Sequence, residues 1–435
     1  MEGTSLTPDR DGVAAATRGT ARPDARPAGH AAPAATWATV AHVMTVPISL
    51  GFLRGQIEFM RRRGYHVHAI ASPGPELDEF ARAEAVAVHP VPMTRTISPL
   101  RDLGSLWRLW RTLRRIRPDV VHAHFAKSGL LGMLAALLAG VPVRVYHQRS
   151  LNYLAYSGLR RRVLLGAERV TCFIAHRVLS VSHSNRMLTI QEGICASAKI
   201  EVLAGGSGQG VDAAGRFAPA PPAVRCATRA EHGIPQDATV IGFVGRMVRE
   251  KGIVELAAAW RQLRNVNEGL HLLLVGPLEK SRPEETLRAE LLADLREDPR
   301  VHLVGLVRDT PRFYAAMDVV ALPTYREGFP NVALEAAAME LPIVASTIPG
   351  CTDAVQDGVT GTLVAPRDAA ALARSLQRYV FDPELRAEHG RAARRRVLAE
   401  YRPQAIWEAI DAEYRNLLRV PAHAPDEARG GAAPG

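Results

Sequence analysis

The chain has 435 residues, of which 47% are hydrophobic and 23% charged. This length and composition are typical of two soluble α/β domains, and they exclude a fibrous or largely disordered protein. The net charge of +10 favours anionic partners, which could be nucleic acid, a lipid surface or phosphorylated substrates. Genome composition is an alternative source of this charge, because only four of the 54 basic residues are lysine.

Strands and helices alternate between two aperiodic ends. Residues 1–36 and 421–435 are rich in Ala, Arg, Pro and Gly and are predicted to be disordered tails. Short apolar runs predict two sets of strands, the first at 38–43, 66–71, 120–123, 143–147 and 178–181, and the second at 240–244, 270–275, 301–304, 319–322 and 343–346.

This alternation predicts an α/β protein with two doubly wound parallel sheets. The first domain is expected at residues 37–218 and the second at 219–402, with a proline-rich linker at 217–224. Apolar residues at helical spacing after Pro403 predict a last helix at residues 403–420.

The four cysteines predict neither a disulfide framework nor a zinc site, because no C-x-x-C pair or histidine cluster at metal spacing is present. The N-terminus lacks the apolar region of a signal peptide, so a reducing cytoplasm is the expected location. The longest apolar stretch, residues 130–139, is too short to span a bilayer and is interpreted as a buried helix.

Two carboxylates lie between the apolar runs at 319–322 and 341–345. Glu327 belongs to the loop and Glu335 to the following helix. Pro330 fits the first helical position, since proline has no N–H to lose there. The backbone N–H groups that follow would form an anion site, contributed by Asn331, Val332 and Ala333. Glu327 is suited to sugar hydroxyls and Glu335 to a ribose, because carboxylates accept hydrogen bonds from paired hydroxyls.

A second anion site is predicted where the strand at 240–244 ends. Gly245 allows a close backbone approach, and Arg246 and Lys251 could converge on one diphosphate. A solvated basic loop is the alternative, which the scarcity of lysine in this chain makes less favourable.

Two histidines share one side of the strand at 120–123. His122 and His124 alternate with the period of a strand, near its carboxyl end, where open α/β sheets bind ligands. His122 is interpreted as a satisfied core residue and His124 as a site residue.

The string EGFPNVALEA resembles the signature of family 4 glycosyltransferases, two glutamates separated by seven residues. These are retaining enzymes of the GT-B architecture, in which two Rossmann-like domains face each other across a cleft. The strings DVVHAHFAKSG and VGRMVREKG resemble further family elements in the expected order. The resemblance covers roughly residues 38–414.

The resemblance implies a role for each matching residue. His124 would orient and stabilise the donor sugar without abstracting a proton, and Glu327, Arg246 and Lys251 complete the expected catalytic set. The last helix would cross back onto the first domain. The expected donor-binding residues are Gly51, Gly245, Arg246, Lys251, Val307, Glu327, Phe329, Pro330, Asn331, Val332 and Glu335.

Three strings depart from the family pattern. Gly51 and Gly55 replace the common double glycine, Gln209 stands where asparagine is usual, and HQRSLNY at 147–153 lacks the common His-Gly. The last departure bears on the acceptor. The glycines at 205–210 do not form a dinucleotide fingerprint, so a dehydrogenase is excluded there.

The predicted activity is transfer of a sugar with retention, from a nucleotide-diphosphate donor such as a UDP-sugar to a glycan or lipid-linked saccharide. Bacterial capsule, exopolysaccharide and lipid-linked oligosaccharide enzymes are the most similar members. The alternatives are a nucleotide-sugar 2-epimerase or phosphorylase of the same fold, and a non-catalytic nucleotide-sugar-binding protein.

No cofactor or metal is expected, because the only Asp-x-Asp lies in the predicted N-terminal tail. The expected partners are the donor and a saccharide or polyprenyl-linked acceptor. Nucleic acid is not expected, since no binding motif accompanies the basic residues.

Residues 99–117 predict an amphipathic helix. Leu103, Leu106, Trp110 and Leu113 form one predicted stripe with Trp107 at its edge, and arginines dominate elsewhere. Such a helix could dock on anionic lipid at the inner face of the cell membrane. The alternative is that the apolar stripe packs against the sheet of its own domain.

Overall fold

The computed structural model describes residues 37–96, 98–279 and 286–419. The two predicted tails therefore lie outside the described residues. The strands are β1 (Ala38–Val43), β2 (Tyr65–Ala71), β3 (Ala87–Pro90), β4 (Val120–His124), β5 (Val143–Gln148), β6 (Arg177–Ser180), β7 (Ile200–Glu201), β8 (Thr239–Val244), β9 (Leu270–Val275), β10 (Val301–Gly305), β11 (Val319–Leu322), β12 (Ile343–Ser346) and β13 (Gly361–Val364).

The helices alternate with these strands, and three 3₁₀ segments follow β1, β5 and β8, at Pro47–Leu53, Asn152–Ala155 and Arg249–Lys251. The α-helices are α1 (Gln56–Arg62), α2 (Pro75–Glu84), α3 (Pro99–Ile116), α4 (Ala126–Ala139), α5 (Gly158–Ile174), α6 (His183–Gln191), α7 (Pro222–Glu231), α8 (Ile253–Leu263), α9 (Ala289–Glu297), α10 (Pro311–Ala316), α11 (Asn331–Ala338), α12 (Cys351–Ala354), α13 (Ala369–Phe381), α14 (Pro383–Glu400) and α15 (Pro403–Leu418).

Both sheets are parallel and doubly wound, which confirms the predicted fold class. The first sheet has seven strands in the order β3-β2-β1-β4-β5-β6-β7, and the second has six in the order β10-β9-β8-β11-β12-β13. Apolar clusters cover both faces of each sheet, as parallel strands require. The strand order reverses between β1 and β4 in the first sheet and between β8 and β11 in the second. The carboxyl ends of these strands are therefore the expected ligand sites.

The ten predicted strands agree with the observed ones to within one residue at each end. The three strands that the sequence does not predict are β3, β7 and β13, which are all edge strands of two to four residues. An edge strand buries less apolar surface than a central one, so its sequence carries a weaker pattern.

Three local predictions are wrong. The linker predicted at 217–224 is partly helical, since α7 begins at Pro222. Leu137 and Leu138, in the stretch interpreted as a buried helix, are exposed at the end of α4. Pro330 is the extended residue that precedes α11 rather than its first helical residue.

Helix α15 packs on the first domain. Tyr65 and Arg63, around the start of β2, donate hydrogen bonds to the carboxylate of Asp411 across 2.7 and 2.6 Å. The Tyr414 hydroxyl lies 2.5 Å from His122 Nδ1. Among the described residues, no helix is both long enough and apolar enough to cross a membrane.

Candidate active site

The backbones of two glycines meet where β8 and β9 end, beside the reversal point of the second sheet. Gly245 follows β8 and Gly276 follows β9. A Cβ at position 276 would lie only 1.8 Å from the carbonyl oxygen of Gly245, so a larger residue would push these two strand ends apart. The loop that carries Arg246 and Lys251 begins at this close contact.

Lys251 and Glu327 form an ion pair at this edge. Lys251 Nζ donates to Glu327 Oε1 across 2.5 Å, and both side chains are mostly buried. Arg246 lies 3.4 Å from a carboxylate oxygen of Glu279. The structure therefore places Lys251 directly beside Glu327, as a combined site for phosphate and sugar requires.

Glu335 lies on α11 and is held by a residue that the sequence analysis misses. The Tyr314 hydroxyl, on α10, donates to Glu335 Oε2 across 2.7 Å. Burial raises the pKa of the Glu335 carboxyl, while the hydrogen bond from Tyr314 and the charge of Arg216 act in the opposite direction. The other carboxylate oxygen has no hydrogen-bond partner among the described residues and can accept from a hydroxyl.

The segment before α11 contacts the first domain. The Gly328 carbonyl accepts from Ser182 Oγ across 3.0 Å and from Asn185 Nδ2 across 2.6 Å. Phe329 is buried against the Tyr401 ring, with centroids 5.4 Å apart. Asn331 and Val332 are half-buried at the start of α11. The loop with the candidate donor residues is thus fixed from both domains.

A second contact between the domains involves Asp353. Its Oδ1 accepts from the backbone N–H groups of His183 and Ser184, across 2.8 and 3.2 Å, at the N-terminus of α6. Ser184 Oγ also bonds to Asp353 and accepts from the Gly350 backbone N–H. A carboxylate at a helix N-terminus is favourable, so this contact stabilises the observed approach of the two domains.

Four histidines lie together at the first sheet's reversal point. His42 on β1 faces His124 on β4, with Nδ1 and Nε2 3.0 Å apart. His122 stacks on His124 with centroids 4.2 Å apart, and His147 on β5 lies 5.3 Å from both rings. The histidine cluster, as we call these four, includes the predicted His124, whereas the sequence analysis misses His42 and His147.

Burial keeps the histidine cluster neutral. Desolvation lowers the pKa of His42 to about 3 and holds the pKa values of His122, His124 and His147 well below their usual range. Arg149 and neighbouring imidazoles add to this effect. A neutral His124 agrees with an orienting role, because its lowered pKa makes it a weak base near pH 7 while one ring N–H can still donate a hydrogen bond.

The sequence predicts no histidine cluster at metal spacing, but the fold brings three histidines together. One ring nitrogen from each of His42, His122 and His124 lies within 4.8 Å of the others. Neutral imidazoles are suitable metal ligands. The parallel stacking of His122 on His124 and the adjacent Arg149 cation fit a hydrogen-bonded stack better than ligands converging on a cation.

Gly51 and Val307, two of the predicted donor-binding residues, lie in different surroundings. Nothing lies within 4 Å of a Cβ placed on Gly51, so the loop after β1 is open there. Gly55 instead packs on Trp407 of α15, where a Cβ would be 2.8 Å from the indole. Val307 packs against the second domain's core, while Leu306 beside it is exposed.

Family models match both domains. The model for glycosyl transferases group 1 matches residues 238–382, and the glycosyl transferase 4-like domain matches residues 52–206. The capsular polysaccharide biosynthesis glycosyltransferase CapM of Staphylococcus aureus is 32% identical over 378 residues, which cover 87% of this chain and 97% of CapM. The chain belongs to the family 4 glycosyltransferases.

Other proteins similar to this glycosyltransferase agree with that family. The UDP-Gal:alpha-D-GlcNAc-diphosphoundecaprenol alpha-1,3-galactosyltransferase of Escherichia coli is 27% identical, over 80% of this chain and 89% of its own. The crystal structure of Anabaena HepE in complex with UDP and glucose has a TM-score of 0.71 at 19% identity, covering 87% of this chain and all of HepE. At this identity the structural likeness shows the GT-B fold alone. The epimerase, phosphorylase and non-catalytic alternatives are not favoured.

Proposed function

We propose that this glycosyltransferase transfers a sugar, with retention at the anomeric carbon, from a UDP-sugar to a saccharide or polyprenyl-linked acceptor in cell-surface polysaccharide biosynthesis. The names of two relatives support the acceptor class: CapM is a capsule enzyme, and the Escherichia coli relative acts on a diphosphoundecaprenol-linked sugar. The same Escherichia coli relative uses UDP-Gal, which supports uridine as the base of the donor.

The contact between Lys251 and Glu327 is the observation that carries this proposal. A cation 2.5 Å from a carboxylate joins a phosphate site to a hydroxyl site, as a sugar attached to a diphosphate requires. Glu335, further along α11, would accept from the ribose through its unpaired oxygen. When the glycosyl–phosphate bond breaks, negative charge develops on the leaving diphosphate, and Lys251 and Arg246 would stabilise it.

We also propose that this leaving-group stabilisation needs no metal ion. Arg246, Lys251 and the backbone N–H groups at the start of α11 would supply the compensating positive charge. The sugar acceptor would attack from the leaving-group side, so no carboxylate nucleophile is required. His124 would orient the donor sugar as a neutral hydrogen-bonding group.

Transfer assays across donors test the function. The purified chain is incubated with UDP- and GDP-sugars, with and without a polyprenyl diphosphate-linked saccharide, and nucleotide release and saccharide products are measured. We expect acceptor-dependent release of UDP. Conversion of the UDP-sugar to its epimer without an acceptor would instead identify an epimerase, and binding without turnover would identify a non-catalytic protein.

A peripheral membrane contact, at the cytoplasmic face, completes the proposal. Helix α4 lies between α3 and α5 and contacts both. All three helices carry exposed apolar side chains, which we call the three-helix surface: Leu103 and Trp107 on α3, Leu137 and Leu138 on α4, and Leu159, Val163, Val170 and Phe173 on α5. Exposed arginines on α3 and α5 accompany them, which suits anionic lipid.

A further inference from the structure

Arg149 is a buried cation that has no carboxylate partner among the residues that the structure describes. The residue is only 8% exposed, and its hydrogen bonds run from Nε to His124 Nδ1 and from Nη2 to the Gly208 carbonyl, both across 3.3 Å. Its guanidinium carbon lies 5.0 and 6.0 Å from the ring centroids of Phe52 and Phe125. Its Nη1 has no hydrogen-bond partner among the described residues.

The buried Arg229 shows what a structural arginine looks like in this chain. Its guanidinium donates to the Asp318 carboxylate across 2.8 Å and to the backbone carbonyls of Pro235, Gln236, Ala238 and Ala316. Arg149 has two long bonds in place of this set. Burial lowers the pKa of Arg149 to about 9, so the group remains a cation near pH 7. An unpaired buried cation is costly unless a ligand supplies the missing anion.

The position of Arg149 indicates that its ligand is a substrate of the candidate active site. The residue follows β5, while Phe52 lies after β1 and Phe125 after β4, so the guanidinium lies where the first sheet's strand order reverses. The backbone carbonyl oxygen of Arg149 would be 1.8 Å from a Cβ placed on Gly328, which is the residue after Glu327. Arg149 therefore lies directly opposite the candidate donor loop.

The hydrogen bond from Arg149 fixes where the protons of the histidine cluster lie. Arginine Nε can only donate, so His124 Nδ1 accepts and its proton lies on Nε2, which then donates to His42 Nδ1. The remaining proton of His42 must lie on Nε2, a buried nitrogen that has no hydrogen-bond partner within the described part of the chain. The histidine cluster therefore takes up only one N–H of the Arg149 guanidinium and leaves Nη1 for a ligand.

We propose that Arg149 binds a phosphate group of a substrate, either the diphosphate of the sugar donor or a phosphate carried by the acceptor. A planar guanidinium with a free Nη1 matches phosphate oxygens, and a desolvated site strengthens that attraction. The inference rests on the proposed function, because it takes its phosphate from the substrates of that reaction.

Two titrations with Arg149→Met separate the two phosphate sources. Calorimetry with UDP measures binding of the donor diphosphate, which we call the donor arm. Inorganic phosphate titrated into the UDP-saturated protein measures binding of an acceptor phosphate, which we call the acceptor arm. We expect at least a tenfold loss of affinity in one arm, with UDP if the donor phosphate is bound and with inorganic phosphate if the acceptor phosphate is bound. Arg144→Met, on the same strand β5, is the matched control and should change neither affinity.

Stability distinguishes a ligand-binding arginine from a structural one. Removing an unpaired cation should leave the melting temperature of the ligand-free Arg149→Met protein equal to or above that of the wild type. Arg149→Lys keeps the positive charge but not the planar guanidinium. We expect a threefold to tenfold loss of affinity in the same titration that Arg149→Met affects. Affinities within twofold of wild type in both arms, for either variant in folded form, would overturn the inference. Failure of the wild type to bind UDP would instead refute the proposed function.

Discussion

Lys251 donates to Glu327 from a loop that follows β8 to a loop that follows β11, across 76 residues of sequence. These two strands flank the reversal point of the second sheet, so the contact lies where an open α/β sheet binds its ligand. The pair has a consequence for binding: Glu327 neutralises Lys251 in the absence of a donor, and a diphosphate must compete with it for that cation.

Glu327→Gln should therefore separate binding from turnover. Removing the carboxylate charge frees Lys251, so we expect UDP to bind as tightly as to the wild type or more tightly. Sugar transfer should fall at least tenfold, about 1.4 kcal/mol in activation free energy, because the hydroxyl contact is weakened. Calorimetry with UDP and kcat for transfer check both statements.

Lys251→Met is the complementary change and should weaken UDP binding as well as transfer. Glu290→Gln, on α9 in the same domain, serves as the control for loss of one carboxylate charge. Near wild-type turnover in folded Glu327→Gln protein would contradict the role given to this carboxylate.

Glu335 and Tyr314 should act as one unit on the ribose. Glu335→Ala removes the predicted hydroxyl acceptor, and we expect at least a tenfold loss of transfer, mainly through KM for the donor. Tyr314→Phe only releases one oxygen of that carboxylate, so its effect should be smaller, about twofold to fivefold. Steady-state kinetics with the UDP-sugar measure both, and a Tyr314→Phe loss larger than that of Glu335→Ala would be inconsistent with this order.

The sequence predicts the second domain's site better than the first domain's. Lys251, Glu327 and Glu335 are carried by short strings, and each string contains its own strand end, loop and helix start. The neighbours of His124 depend on strand order instead. His42 meets His124 across 82 residues because β1 pairs with β4, and no local pattern encodes that pairing. Tyr314 and Arg149 are missed for the same reason.

The amphipathic helix at 99–117 shows a different limit. The predicted stripe is divided between two surroundings, because Leu103 is 66% exposed whereas Leu113 is fully buried together with Leu109, which lies outside that stripe. Leu106 and Trp110 are partly buried against the core. Helical spacing identifies an apolar side, but the exact direction that faces the sheet depends on how α3 sits beside α4, which periodicity does not determine.

The histidine cluster should make stability depend on pH. The pKa values of these histidines are depressed in the folded state, whereas unfolded histidines titrate near their usual pKa of about 6.5. The unfolded chain therefore binds more protons below that pH. Stability should be fully present above it and fall as the pH drops toward the folded pKa, by about 2 kcal/mol at pH 5 for His42 alone, whose folded pKa is about 3.

Urea denaturation at pH 7.5 and pH 5 measures this loss. His42→Gln should reduce the difference between the two pH values, because one depressed group is removed. His66→Gln, at an exposed position on β2, is the matched control and should leave the difference unchanged. An equal effect of the two variants would contradict the assignment to burial.

Chelation tests the proposal of metal-free catalysis. Cationic side chains and helix N–H groups would replace Mg²⁺ at the diphosphate, so transfer should persist after EDTA treatment and dialysis. Arg246→Ala should lower transfer at least tenfold under the same conditions, since no ion compensates for the lost charge. Complete loss of activity with EDTA that Mg²⁺ restores would contradict metal independence. Restoration of activity by Zn²⁺ alone would instead indicate a metal site at the histidine cluster.

Liposome flotation tests the membrane contact of the three-helix surface. Trp107 on α3 is 53% exposed and Phe173 on α5 is 84% exposed, so both can enter the headgroup region without rearrangement of the core. Exposed arginines, such as Arg108 and Arg111 on α3, would meet anionic lipid phosphates. We expect binding to vesicles rich in phosphatidylglycerol and little binding to neutral phosphatidylcholine vesicles.

Charge reversal then identifies the docking side. Replacement of Arg108, Arg111 and Arg115 by Glu should abolish flotation at low ionic strength, and added salt should weaken wild-type binding because exposed charges are screened. Reversal of Arg374, Arg378 and Arg391, exposed on α13 and α14 of the second domain, changes the net charge equally and should have little effect. Phe173→Ser should weaken flotation without changing the charge, because its ring no longer enters the apolar boundary. Equal losses from both charge reversals would show that net charge, and not the three-helix surface, causes the binding. Absence of wild-type binding at low salt would contradict the membrane contact.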